Sequence, residues 1–380
     1  MDTSVDRNSA KSSTRQWQPL IVHVVRQFYP NKGGLEDVVL NLARRAVLRG
    51  YRVRVVTLDS LFSEPDLVLS SRETIDGIDI VRIPWRGSSR YPVAPSVLKH
   101  IGDADLVHVH AVDFFFDFLA LTQFIHRKQM VATTHGGFFH TRRFAALKTI
   151  WFKTLTRFSA SRYSAVIGCS TSDVDTFTPI APANVSLIVN GADTAKFRNR
   201  AAASPTKRLV TIGRFSVNKR LDHLLAAVQA LVADDREWGL DIIGVGSDLS
   251  PADVIGLIAA QGLADRVSLH IGLPNAAIAE IIGRASLFAS ASEYEGFGLV
   301  AIEAMSAGLL PVLEDNDAYR ELAAKHPMLV LSDFTSPKVA AKAISTAFAT
   351  LQADAETLRT RLMSESDRYS WDGVAARYFD

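Results

Sequence analysis

Apolar runs of strand length alternate along the chain with segments of helical period. In the first half the runs are Leu20–Val25, Val53–Thr57, Leu106–Val109, Val131–Thr134 and Ala165–Ile167. In the second half they are Arg208–Ile212, Leu240–Ile243, Val267–Leu269, Leu287–Ala289 and Leu310–Leu313. Continuous apolar runs of this length suit parallel strands buried on both faces. Helical spacing appears between them, as at Leu35–Arg49, Leu221–Ala233 and Ile278–Arg284. This alternation predicts an α/β chain with doubly wound sheets. A polar, alanine-rich break at 201–207 reads as a linker. The expectation is two Rossmann-like domains, 19–200 and 208–380, facing across a cleft. Ligands of such sheets sit beyond the carboxyl ends of the strands.

Composition narrows the classes. A chain of 380 residues with 48% hydrophobic positions can fill two cores. Its net charge of +2 argues against a nucleic-acid partner. A single cysteine, Cys169, cannot form an internal disulfide, so a reducing compartment is expected. Residues 1–18 are polar and read as a disordered leader, not a signal peptide. No apolar run approaches the length of a membrane span, so any membrane contact is expected to be peripheral.

The segment from Ser292 to Gly308 is the most informative. The strand Leu287–Ala289 leads into a loop carrying Glu295, Gly296, Phe297 and Gly298, and a helix starts near Leu299. Free amides at a helix start form an anion site, and glycines let the backbone approach a ligand. Glu303 lies on that helix among apolar neighbours, so its carboxylate needs polar partners, which two ribose hydroxyls would supply. Arg214 and Lys219 follow the strand Arg208–Ile212 and place two cations at its carboxyl end. Cations there would stabilise a departing diphosphate. Gly33-Gly34 precedes a helix but lacks the dinucleotide G-x-G-x-x-G spacing, which disfavours a nicotinamide oxidoreductase. Gly244 and Gly246 follow another strand and are expected to border a base. His135 ends a strand and points into the expected cleft, with His110 and Ser170 at other strand ends. Asp103-x-Asp105 resembles a metal-binding pair, but it begins a strand and so lies away from the carboxyl-end cleft; no metal is expected.

Glu295-x7-Glu303, in the context EGFGL and EAMSAG, resembles the family 4 glycosyltransferases of GT-B fold. The resemblance implies that Glu303 binds the donor ribose and Glu295 the donor sugar hydroxyls. It implies that amides of Phe297, Gly298 and Leu299 hold the sugar and diphosphate. Arg214 and Lys219 match the family's diphosphate clamp, although Arg220 stands where the family usually has glycine. Gly33-Gly34 becomes the glycine pair over the phosphates, and His135 a residue beside the donor sugar that orients the reactants. Members retain anomeric configuration, in the family view by front-face displacement without a protein nucleophile.

Narrower strings, residues 23–28, 86–92, 113–117 and 134–141, are similar to the bacterial α-mannosyltransferases of acetan and xanthan assembly. That likeness implies GDP-mannose as donor and a polyprenyl-diphosphate-linked cellobiosyl acceptor, at the cytoplasmic side of the inner membrane. Arg90, Tyr91, His110, Asp113 and Phe114 are its acceptor-side candidates. A segment near Tyr369–Phe379 is expected to be the closing helix that crosses back to the first domain.

From Phe118 to Ser172 there is no acidic residue, and eight are Lys or Arg. Phe144, Leu147, Trp151, Leu155 and Phe158 recur at helical spacing, with Arg142, Lys153 and Arg157 largely opposite, and Arg143 and Lys148 add charge. An apolar face beside cations suits an anionic membrane surface; the same stripe would also suit packing on a sheet. Two other functions stay open on sequence: a transferase using another nucleotide sugar, such as UDP-glucose, and a non-catalytic membrane-surface scaffold.

Overall fold

The computed structural model describes residues 18–31, 33–89, 91–135 and 150–380. The leader to residue 17, Arg90, Gly136, Gly137, Arg142, Arg143, Phe144, Leu147 and Lys148 therefore lie outside the described residues.

The strands are β1 (Leu20–Val24), β2 (Arg52–Leu58), β3 (Arg72–Ile75), β4 (Ile78–Ile83), β5 (Arg86–Ser88), β6 (Tyr91–Val93), β7 (Leu106–His110), β8 (Gln129–Thr133), β9 (Ala165–Gly168) and β10 (Val185–Leu187) in the first half. The second half contributes β11 (Arg208–Phe215), β12 (Gly239–Gly246), β13 (Val267–Ile271), β14 (Leu287–Ser290), β15 (Leu310–Glu314) and β16 (Val330–Ser332). One sheet runs β10-β9-β8-β7-β1-β2-β4-β3 and the other β13-β12-β11-β14-β15-β16. The second order is that of a dinucleotide-type doubly wound sheet, with its reversal between β11 and β14. Every apolar run named above is a strand. The short or half-polar strands β3, β4, β10 and β16, and the hairpin β5–β6, are additions that no long apolar run announced.

Packing divides the chain into two compact units. One carries the described residues through Thr134 and then 150–166. The other carries His135 and 167–380. Residues 201–207 are pinned within the second unit: Ala201 N donates to Ala307 O, Ala202 N to Ala285 O and Thr206 N to Ser286 Oγ.

In the first unit β1 is buried along its whole length, and the helix Gly34–Leu48 covers the sheet with Val38, Val39, Leu42, Ala43 and Ala46. That spacing is one helical face. In the second unit one buried carboxylate ties three strands. Asp241, on β12, accepts from Arg208 Nε of β11 and meets His270 Nε2 of β13, each at 2.8 Å. Near their carboxyl ends β11 and β12 come so close that a Cβ on Gly244 would lie 1.8 Å from Gly213 O. Gly244 is therefore required by strand packing. Its proposed place beside a base is secondary to that.

The helix Trp371–Phe379 forms as the sequence led one to expect. Arg377 donates to Leu187 O, and the Trp371 ring packs on Gly191.

Candidate active site

The carboxyl ends of β11 and β14 flank the reversal in the second sheet, and the charged residues gather there. Residues 217–219 form a short 3-10 turn after β11. Arg220 then takes φ 44°, the left-handed conformation that a glycine would adopt freely. The turn survives the missing glycine, and the Arg220 guanidinium is held by Asp222 at 2.9 and 3.1 Å. This turn delivers Lys219, whose Nζ donates to Glu295 Oε1 at 2.6 Å. The side chains of that pair are 23% and 16% exposed, so solvent screens it only partly.

Glu295 has a second partner. The Tyr319 hydroxyl lies 3.3 Å from Glu295 Oε1 and 2.9 Å from Ser290 Oγ. Burial, then the Glu295 charge, raise the Tyr319 phenol well above its ordinary value, so it stays a donor. The loop itself is stapled by amides. Asn218 Nδ2 donates to Tyr294 O, and Asn316 Nδ2 to Ser292 O, both at 2.8 Å.

Gly298 begins the helix Leu299–Ala307 at φ 83°, and a Cβ there would strike the Tyr319 ring at 2.7 Å. Glycine is thus needed twice over, for conformation and for space. The first amides of this helix have no acceptor within it. Glu303, one turn on, pairs with Lys196 Nζ at 3.4 Å. The helix is buried as expected, but the carboxylate is half-buried and already has a cation. Arg214 stands on β11 opposite Val245, and Gly246 ends β12. Phe297 rests against Tyr369 with ring centroids 5.7 Å apart.

His135 has φ 56°, unusual for a non-glycine residue. Burial pushes its imidazole down to about 3, so the ring is neutral at pH 7. Its Nδ1 lies 3.8 Å from Cys169 Sγ, and burial pushes that thiol up to about 12. Ser170, a candidate at the end of β9, has a local role. Its hydroxyl caps the helix Thr171–Phe177, accepting from Asp173 N at 3.1 Å, while Cys169 Sγ lies beside His135.

In the first unit, Gly33 is extended and precedes the helix Gly34–Leu48. Glu36 folds back beside it, accepting from Asn31 Nδ2 at 2.8 Å. A carboxylate thus lies at the helix start where a phosphate was expected. Asp103 is taken by Arg54 at 2.7 Å, and Asp105 accepts from Leu20 N at 2.7 Å. Both acids of that pair serve the strand starts.

The acceptor-side candidates are mostly interior. Among the described candidates His110, Asp113 and Phe114 are buried, and Tyr91 is exposed. Asp113 caps the helix Phe114–Leu121 through Phe115 N and pairs with Arg26 at 3.0 Å. Burial pushes its carboxyl up to about 7 against the pull of that guanidinium. Tyr91 packs edge-on against Phe114 and Trp151, and its hydroxyl lies 3.3 Å from Asp117 Oδ2. Asp117, which sequence reasoning passed over, also accepts from Ser159 Oγ at 2.7 Å.

The basic stretch buries Phe152, Thr156, Ser159 and Ala160. Trp151 and Phe158 are each 42% exposed, beside exposed Lys153 and Arg157. Of the described residues of the foreseen apolar stripe, Trp151 and Phe158 therefore lie off the packed face, and Leu155 is half-buried. Phe124 and Ile125, at 75% and 60%, add exposed apolar surface nearby in sequence.

Comparison with known proteins places the chain in a family. Residues 193–357 match the description "Glycosyl transferases group 1" and residues 32–196 "Glycosyltransferase Family 4". A GDP-mannose:cellobiosyl-diphosphopolyprenol alpha-mannosyltransferase of Xanthomonas oryzae pv. oryzae is 43% identical over 95% of both chains. One of the same description from Komagataeibacter xylinus is 42% identical over 94% of this chain and 91% of its own. The chain is a family 4 glycosyltransferase. Its GT-B fold is also that of Anabaena Alr3699/HepE in complex with UDP (TM-score 0.72, 17% identity, 95% and 98% covered). Sucrose-phosphate synthase from Thermosynechococcus elongatus shares it too (TM-score 0.69, 18% identity, 95% and 98% covered).

Four residues that the structure brings to the candidate site were not foreseen: Lys196, Asn218, Tyr319 and Cys169. Tyr319 had a signal, since Asn316 caps a helix directly after the strand β15. Lys196 had none, because its partner Glu303 is 107 positions away.

The neutral His135 makes a prediction. Its folded-state pKa is depressed, so the unfolded chain binds the proton more readily. Stability from this group is present above about 6.5 and is lost as pH falls toward 3. His135→Asn keeps a side chain tolerant of positive φ. Its chemical-denaturation stability is expected to fall less steeply than that of the native chain between pH 6.5 and 4. Equal slopes would show that His135 is not buried neutral.

Proposed function

We propose that this glycosyltransferase moves mannose from GDP-mannose to the cellobiosyl unit of a diphosphate-polyprenol lipid, retaining the anomeric configuration, in bacterial exopolysaccharide assembly. The observation that carries the donor and acceptor is the 42–43% identity over nearly the whole chain with the mannosyltransferases of that description. The chemistry rests on the cluster of Arg214, Lys219, Glu295 and Glu303.

In this reading Glu303 accepts from the donor ribose hydroxyls, with Lys196 beside it. Glu295, fixed by Lys219 and Tyr319, accepts from the sugar hydroxyls. Amides of Phe297, Gly298 and Leu299 meet the sugar and diphosphate. As the sugar–phosphate bond lengthens, charge builds on the leaving oxygen, and Lys219 and Arg214 stabilise it. Each contributes about 3–4 kcal/mol, by analogy with a single preorganised donor. The leaving phosphate takes the acceptor proton on the same face from which it departs, so retention needs no carboxylate nucleophile. The neutral His135 orients the reactants. The two cations take the charge-neutralising role that a metal fills elsewhere, and Asp103 and Asp105 are engaged at strand starts, so transfer is proposed to proceed without a metal.

The first unit is proposed to bind the lipid and the anionic surface holding it, at the cytoplasmic face of the inner membrane. Exposed Trp151 and Phe158 beside Lys153 and Arg157 support this. Among the described residues no helix is long and apolar enough to cross a membrane.

Incubation with GDP-mannose or UDP-glucose and a cellobiosyl-lipid diphosphate, in chelator, is expected to give α-linked mannose from GDP-mannose alone. Transfer from UDP-glucose, a β-linked product or loss of activity in chelator would each remove one part of the proposal. In liposome flotation, binding is expected to rise with anionic lipid and to fall at least several-fold in the K153E/R157E double variant. Binding indifferent to lipid charge would refute the membrane assignment.

A further inference from the structure

Three histidines of the first unit stand on one face of its sheet. β1 and β7 pair in parallel with His23 opposite His108. Side chains alternate along a strand, so His108 and His110 share a face, and the register brings His23 to it. The rings cluster: those of His108 and His110 stack with centroids 4.0 Å apart, and that of His23 lies 5.2 Å from each, stacked on His110 and tilted against His108. One ring nitrogen from each lies within 4.8 Å of the other two. His23 Nδ1 and His110 Nε2 are 2.9 Å apart. All three residues are buried, none more than 4% exposed.

Packing does not account for this. Burying imidazoles where aliphatic side chains would fill the same space costs desolvation unless the nitrogens find partners. His23 Nε2 is buried with no hydrogen-bond partner. His108 Nε2 is 2.7 Å from Thr133 Oγ1, a contact that fixes ring orientation as outer partners of metal ligands do. The place is also suggestive. The strand order of this sheet reverses between β1 and β7, and ligands of doubly wound sheets bind at such a reversal.

We propose that His23, His108 and His110 form a binding site for a divalent transition-metal ion of the zinc class. Imidazole nitrogens select such ions over magnesium or calcium, which prefer oxygen. Zinc–nitrogen bonds of about 2.0–2.1 Å in tetrahedral geometry place ligand nitrogens roughly 3.3 Å apart. The 2.9 Å pair need open by only a few tenths of an ångström, and ring rotation closes the third distance. Three protein ligands leave a fourth position for water. The ion would clamp β1 to β7 and takes no part in transfer, so this inference does not rest on the proposed donor or acceptor.

The test uses the full chain, stripped with chelator and dialysed. Titration with Co2+ is expected to give one ion per chain, with the intense visible absorption of four- or five-coordinate cobalt, displaced by Zn2+ and untouched by Mg2+. Zn2+ is expected to raise the unfolding midpoint with concentration. H23Q and H110Q, checked for native circular dichroism, should each weaken Co2+ binding at least tenfold. T133V keeps all three imidazoles, guards against a folding failure, and should weaken it by about tenfold. No stoichiometric Co2+ on the native chain, a pale octahedral spectrum, or equal binding by the folded variants would overturn the proposal.

Discussion

The candidate site of this glycosyltransferase's second unit depends on one contact, the 2.6 Å bond from Lys219 to Glu295. The two residues arrive from different strand ends, 76 positions apart in sequence. As a stabilising pair it is worth little, since a partly exposed ion pair gains modestly over its hydration. Its value is geometric. It points the lysine at the reversal between β11 and β14 before any substrate arrives, and preorganised charge is what lowers a barrier. The surrounding structure serves that placement. Arg220 accepts a left-handed backbone so that the turn delivers Lys219. Tyr319 holds the far side of Glu295, and its ring excludes any side chain at Gly298. Asn218 and Asn316 fix the intervening loop from both sides.

Much of this was legible in the sequence, for a physical reason. Parallel strands buried on both faces must be continuous apolar runs, so the central strands declare themselves. A helix start after a glycine loop must leave amides free, so Gly298–Leu299 declared itself too. Edge strands such as β16 and the half-polar β3 obey no such demand and went unseen. Residue pairing across the fold is also invisible along a chain. Lys196 looks like any surface lysine until the structure places it against Glu303. The cap that Ser170 makes was hidden for the same reason. A serine at a strand end is equally apt to cap the next helix, and here it does.

The first unit shows how burial alters a reading made from residue type. His110, Asp113 and Phe114 were expected to face an acceptor, yet they sit inside, and Tyr91 is the surface residue that packs on Phe114. Asp117 gathers the hydroxyls of Tyr91 and Ser159 beneath the hairpin β5–β6, joining it to the basic segment. Among the described residues of that segment, Trp151 and Phe158 stay outside while Phe152 and Thr156 face in. The even 3.6-residue period expected there gives way to a π-helical turn at Phe152–Thr156, and Trp151 and Phe158 are left exposed beside cations, one of the two placements that such a stripe allows.

The most direct measurement of the central claim is turnover at saturating donor for Lys219→Ala, Glu295→Gln and the double variant, each checked for a native unfolding midpoint. The account predicts that Lys219→Ala loses about 10²–10³-fold. It predicts that the double variant loses less than the product of the single losses, because the two act as a unit. Near-normal turnover in a folded Lys219→Ala, or strictly multiplicative losses, would contradict it.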